Sequence, residues 1–183
     1  VKRVKPKMAS GVRLKKDQKI VVTIKRLGIN GEGIGYYKRK IVFIPKALPG
    51  EVVLASVTEA KEKYAKARLL KIKQESPARV QPVDKYDVGG IELEHLAYPA
   101  QLKFKQKLVS DLLQKAHLAD LAVEQTLGMA EPYAYRNKAQ VPVREINGKL
   151  TAGFFKRGSH NFLPLTDFLI QDKRIDEVIQ KVL

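Results

Sequence analysis

A chain of 183 residues with 44% hydrophobic and 30% charged side chains has the composition of one or two soluble globular domains. Lys and Arg number 35 against 19 Asp and Glu, a formal charge of +16 that favours polyanionic partners. The absence of cysteine excludes disulfides, zinc ribbons, iron–sulfur ligation and thiolate nucleophiles, and no apolar run is long enough to span a membrane.

The charge is concentrated in the first part of the chain. Residues 1–75 carry 20 Lys and Arg against 6 Asp and Glu, whereas residues 76–183 carry 15 against 13. The opening segment is basic, contains Pro6 and Gly11, has no sustained periodicity and is not followed by a signal-peptide core. Residues 1–17 are expected to form a basic flexible arm on a cytoplasmic protein.

Residues 18–75 read as β structure. The β-branched run QKIVVTIKRL leads into GINGEGIG, where four glycines in eight residues can supply positive φ. The runs YYKRKIVFI and EVVLASVTEA flank a connection punctuated by Pro45, Pro49 and Gly50, and AKARLLKIKQ precedes Ser76-Pro77. Short strands separated by such turns predict an all-β, OB-like five-stranded barrel. The glycine loop is not a dinucleotide fingerprint, because strand rather than helix follows it, and no Gly-Lys-Ser/Thr sequence occurs.

Residues 76–183 predict a small α/β unit. Leu102, Leu108, Val109, Leu112 and Leu113 fall on one side of a helix running from Tyr98 to about His117. Asn147-Gly148 between KAQVPVRE and KLTAGFFKR is a hairpin signal. Ile175, Val178, Ile179 and Val182 form an amphipathic terminal helix whose apolar face needs cover from the hairpin or from a further domain.

Two constellations suit RNA. Tyr36, Tyr37, Lys38, Arg39 and Lys40, with Lys61, Lys63, Tyr64, Lys66 and Arg68, interleave cations for phosphates with rings on which unpaired bases stack. The competing interpretation makes one tyrosine of each group a core residue and the lysines a solvated surface. Arg136, Asn137 and Lys138 after Tyr135 are either readers of phosphate and base edges or a strand-start hydrogen-bond cluster. His95, His117 and His160 lack metal-ligand spacing, and Ser159-His160 lacks the surroundings of a hydrolase dyad.

The ordered series IKRLGINGEGIGYYKRKIVFIPKALPGEVV, KYAKARL and SPARVQP resembles the TRAM domain of RNA uracil-5 methyltransferases. The strings GGIELEHLAYPAQLKFK, YRNKAQVPVR and GFFKRGSHNFLPLTDFLIQ resemble the central domain of the same enzymes. The resemblance spans residues 18–183. It implies a TRAM barrel over 18–75, an α/β central domain over 76–183, and a SAM-dependent methyl transfer to carbon 5 of a uridine in 23S ribosomal RNA or transfer RNA. It also implies that the cysteine nucleophile, its assisting carboxylate and the SAM pocket belong to a C-terminal Rossmann-like catalytic domain absent from these residues, so that the chain alone is inactive. RNA contacts are expected from Lys25, Arg26, Tyr36, Lys38, Arg39, Lys40, Lys63, Tyr64 and Arg68 in the barrel and from Arg136, Asn137 and Lys138 beyond it. Many members hold an iron–sulfur cluster; matched on Gly89-Gly90, its cysteine positions are occupied here by Pro82, Val88, Ile91 and Phe168, which implies a cluster-free domain. The rival reading is a stand-alone RNA-binding or ribosome-associated protein; a third treats both domains as protein-interaction modules.

Overall fold

The computed structural model describes residues 13–83 and 88–183. The chain divides into two compact units, the first ending at Arg79 and the second beginning at Val80. Residues 1–12 of the expected flexible arm lie outside the described residues.

In the first unit, β1 (Lys19–Leu27), β2 (Gly33–Tyr37), β3 (Lys40–Ile44), β4 (Val52–Ala60) and β5 (Tyr64–Gln74) close into a barrel in the order β1-β2-β3-β5-β4. All neighbours are antiparallel except β3 and β5, which run parallel. Period-2 alternation produces the core: Ile20, Val22 and Ile24 are at most 2% exposed, while Lys19, Val21, Thr23 and Lys25 between and beside them face outward. Val42, Ile44, Val53, Val57, Ala65 and Ala67 complete the interior, the alanines of β5 leaving room for the branched residues opposite. Leu14 enters the same core, and the Asp17 amide donates to the Val57 carbonyl at 2.8 Å. Residues 13–17 are therefore packed on the barrel instead of belonging to the arm, because Leu14 gives an otherwise basic segment an apolar anchor.

The glycine-rich loop works mainly through space. Among its glycines only Gly31 has positive φ, at 80°. At Gly33 a Cβ would lie 2.5 Å from the Ala47 carbonyl oxygen, and at Gly35 2.5 Å from that of Thr23, so both positions exclude a side chain by close backbone approach.

A buried ion pair locks the end of this unit. Glu51 is fully buried; its carboxylate accepts from the Leu48 amide at 2.8 Å, from Arg79 Nε at 2.5 Å and Nη2 at 3.0 Å, and from the Ser76 amide at 3.4 Å. Arg79 Nη2 also donates to the Lys46 carbonyl at 2.7 Å. Burial works to raise the Glu51 pKa, but the Arg79 hydrogen bond and charge with the two amides outweigh it and hold the carboxyl below its ordinary value. Residues 76–79 are thus part of the barrel unit, four residues beyond the expected boundary at 75.

The second unit contains α1 (Tyr98–Lys115), β6 (Val143–Ile146), β7 (Lys149–Phe155), β8 (Phe162–Pro164) and α2 (Lys173–Val182), its strands forming one sheet in the order β6-β7-β8. Asn147 and Gly148, with φ of 52° and 77°, make the two-residue turn between β6 and β7 that Asn-Gly predicts. Ala152, Phe154 and Leu163 point to the core side of the sheet, where Val88, Ile91, Leu165, Phe168 and Ile170 gather. Neither helix contains a fully buried residue: Leu102, Leu108 and Leu113 are half-buried, and Val109 and Leu112 are exposed. Cover for the apolar face of α2 is partial, with Ile175 and Ile179 half-buried and Val178 and Val182 exposed. No helix among the described residues is long and apolar enough to cross a membrane.

Candidate nucleic-acid interface

The β2–β3 hairpin turns at Lys38 and Arg39, whose φ values of 46° and 69° make a tight two-residue connection without glycine. This forces both side chains into solvent at the tip, with the Lys38 ammonium 5.7 Å from the Tyr37 ring centroid. The β4–β5 turn carries Lys61 and Lys63 and is closed by the Lys61 amide donating to the Tyr64 carbonyl at 2.9 Å.

Lys40 joins these two tips. It shares strand parity with the core residues Val42 and Ile44, is 8% exposed, and donates from Nζ to the Lys61 carbonyl at 3.0 Å. Lys40, expected to contact RNA, is instead engaged within the barrel in this structure: its inward parity makes it a strut that ties the β4–β5 turn at Lys61 to the start of β3.

The cross-strand register assembles the aromatic part. Tyr36 pairs with Ile41, which pairs with Tyr64 across the parallel β3–β5 junction, so both tyrosines lie in one outward row. Tyr36 is 50% exposed; Tyr64 is half-buried and meets Phe43 edge-on, with centroids 5.8 Å apart and planes at 81°. The next row of the register runs Arg26, Ile34, Phe43 and Lys66, in which Ile34 is buried and Arg26 and Lys66 are exposed. Phe43 was not singled out from the sequence, although its two-residue spacing from Ile41 puts it on the outward side.

Not every cation is free to meet phosphate. Glu59 pairs with Lys66 at 3.0 Å and Lys61 at 3.1 Å; these hydrogen bonds, Lys66 first, lower the Glu59 pKa, and the same contact raises that of Lys66. Lys38, Arg39 and Lys63 form no ion pair among the described residues. Lys25 and Arg26 are exposed but lie elsewhere: Lys25 falls in the irregularity between Ile24 and Arg26, and the register pairs Arg26 with Ile34, toward the β1–β2 loop. Arg68 is exposed on β5, four residues beyond Tyr64 and opposite Ser56. The tip cluster thus unites Tyr36, Lys38, Arg39, Lys63 and Tyr64 and leaves Lys25, Arg26 and Arg68 outside it.

In the second unit, Arg136 forms an isolated parallel bridge with Gln171. Its amide donates to the Ile170 carbonyl at 2.8 Å, and its carbonyl accepts from the Asp172 amide at 2.9 Å. The strand-start hydrogen bonds belong to the backbone; the exposed side chains of Arg136, Asn137 and Lys138 have no hydrogen bond among the described residues. The Arg136 guanidinium lies over the turn at Gly90, where an added Cβ would come within 3.5 Å of it.

The residues at the positions implied for iron ligation do not fit that role. Val88 and Phe168 are buried and Ile91 packs against them in the apolar cluster, whereas Pro82 is exposed and outside it. None has a donor atom for iron in its side chain, and no group of metal-ligating side chains occurs among the described residues.

The first unit is a small closed β-barrel with basic and aromatic residues at its hairpin tips, and residues 13–70 match the TRAM domain family. Relatives extend the match through both units. One from Lactiplantibacillus plantarum, named an uncharacterized RNA methyltransferase, is 48% identical over 170 residues, covering 90% of this chain and 35% of the relative. Another so named, from Halalkalibacterium halodurans, is 41% identical over 181 residues, covering 96% of this chain and 39% of the relative. The chain is similar to these proteins through both units and spans little more than a third of their length. The crystal structure of the Pyrococcus abyssi tRNA (uracil-54, C5)-methyltransferase in complex with S-adenosyl-L-homocysteine shares the fold, with a TM-score of 0.62 and 21% identity over 88% of this chain and 35% of that one.

Proposed function

We propose that these residues are the RNA-gripping part of a SAM-dependent RNA (uracil-5-)methyltransferase, and that they position a folded RNA for a catalytic domain outside them. The observation that carries this reading is the convergence of Lys38, Arg39 and Lys63 with Tyr36 and Tyr64 at one end of a TRAM barrel, tied together by Lys40. Cations without carboxylate partners take phosphates, and a half-exposed ring offers a stacking surface to an unpaired base. Relatives named RNA methyltransferases, and the S-adenosyl-L-homocysteine in the structure with the same fold, support SAM as the methyl donor of the full-length protein. Its pocket would lie outside these residues. Lys25, Arg26 and Arg68, exposed outside the tip cluster, and Arg136, Asn137 and Lys138, whose side chains are free in the second unit, are proposed as further RNA contacts.

The RNA proposed is a 23S ribosomal RNA hairpin, in a cytoplasmic protein; transfer RNA is the other candidate, and it is the substrate in the name of the structural relative. The apolar residues at Val88, Ile91 and Phe168 make a cluster-free second unit part of the same proposal. The test measures binding to a 23S hairpin, a transfer RNA arm and duplex DNA, with and without Lys38→Glu/Arg39→Glu. The expected result is preference for one RNA and loss of binding in the double variant. Equal affinity for all three ligands, unchanged by the charge reversal, would refute the reading.

A further inference from the structure

The three-stranded sheet of the second unit has one face in the core and one open, and the open face carries a cluster that the barrel interface does not use. Arg144 on β6, Phe155 on β7 and Phe162 on β8 meet there. The Arg144 guanidinium lies 5.1 Å from the Phe155 ring centroid and 5.7 Å from that of Phe162, and the two rings pack edge-to-face at 5.8 Å and 72°.

The register explains the meeting. Arg144 pairs with Thr151, which shares parity with Gly153 and Phe155, and Phe155 pairs directly with Phe162. Gly153 keeps the space between them clear: a Cβ there would lie 2.7 Å from Phe162 Cζ, so any side chain would push that ring away. Phe155 remains 36% exposed, and Arg144 is exposed.

The charge on this face is one-sided. Lys149 shares the parity of Thr151, while the adjacent carboxylate, Glu145, has the opposite parity from Arg144. Lys149 forms no ion pair among the described residues. Arg157 is held by Glu92 at 3.6 Å.

We propose that this open face is a second RNA site, in which an unpaired nucleobase stacks on Phe155 while Arg144, held against both rings, takes the neighbouring phosphate. An exposed ring with a planar guanidinium beside it and no carboxylate on its strand face matches the chemistry of a base and its phosphate. It matches an acidic single strand better than a neutral apolar partner, which would leave Arg144 without a counter-charge. The inference rests on the RNA-binding reading of the chain and adds a site to it.

The experiment uses the 183-residue chain with a short single-stranded oligoribonucleotide carrying 5-iodouridine. Photo-crosslinking is expected at Phe155 or Phe162. Phe155→Leu should weaken binding by about tenfold, the scale of one lost base–aromatic stack, and Phe155→Tyr should retain it. Melting temperatures establish that each variant folds; if Phe155→Leu does not, Arg144→Gln leaves both rings in place and should lose affinity severalfold. Binding that Lys38→Glu/Arg39→Glu abolishes but none of the sheet variants changes would leave the barrel reading standing and overturn this one. Self-association abolished by Phe155→Leu would assign the face to a second copy of the chain instead. No RNA binding by the wild-type chain would overturn both readings.

Discussion

Glu59 offers a test in which binding should improve. Its carboxylate holds Lys61 and Lys66, two cations adjoining the tip cluster, at 3.1 and 3.0 Å. Glu59→Gln releases both without moving the strand, since the contacts are made by exposed side chains at the end of β4. Each cation that then reaches a phosphate on single-stranded RNA steepens the log–log salt dependence by about 0.7. At about 0.15 M salt this corresponds to roughly fourfold tighter binding for one new contact and on the order of tenfold for two. Fluorescence anisotropy titrations with a single-stranded RNA at several salt concentrations measure both affinity and slope. Adding Lys61→Gln to the Glu59→Gln protein should return part of the gain. An unchanged slope with unchanged or weaker affinity would show that Lys61 and Lys66 lie off the path of the RNA and that the proposed tip interface is misplaced.

Other outcomes test the frame that holds the site. Arg79→Met leaves Glu51 buried without its counter-charge and should destabilise the barrel by about 3–5 kcal/mol in chemical denaturation; replacing both residues by apolar ones should restore part of that loss. Because the folded carboxyl titrates below its ordinary value of 4.5, wild-type stability from Glu51 is complete above that pH and is lost as pH falls through the folded value. In Arg79→Met the loss should begin at higher pH, as acid denaturation curves will show. Lys40→Met removes the bond to the Lys61 carbonyl and should cost about 1.5–3 kcal/mol in denaturant-monitored stability, with RNA affinity falling only through the loosened tips; a binding defect without any stability loss would return Lys40 to the contact surface. Gly35→Ala places a methyl 2.5 Å from the Thr23 carbonyl and should lower stability by about 1–3 kcal/mol, measured by thermal melting.

Much of the chain's organisation was determined by the sequence alone, because it rests on local rules. Alternation in KIVVTIKRL separates core from surface, Asn147-Gly148 prescribes its hairpin, and the periodicity of residues 98–117 and 172–183 marks two helices. The concentration of charge in residues 1–75 and the basic–aromatic mixture at Tyr36–Lys40 and Lys61–Arg68 pointed to RNA for an equally local reason: composition fixes charge and ring content whatever the topology. Tertiary structure decided which of those side chains meet. The parallel β3–β5 junction puts Tyr64 in the row of Tyr36, inward parity removes Lys40 from the surface, and Glu59 occupies two of the nearby lysines. Barrel closure joins residues far apart in the chain, and a one-residue change of register would exchange inside for outside; neither can be read from a single strand's own sequence. The same dependence on pairing hid the ring of Arg144, Phe155 and Phe162, because three side chains on three strands become neighbours only once the sheet is built.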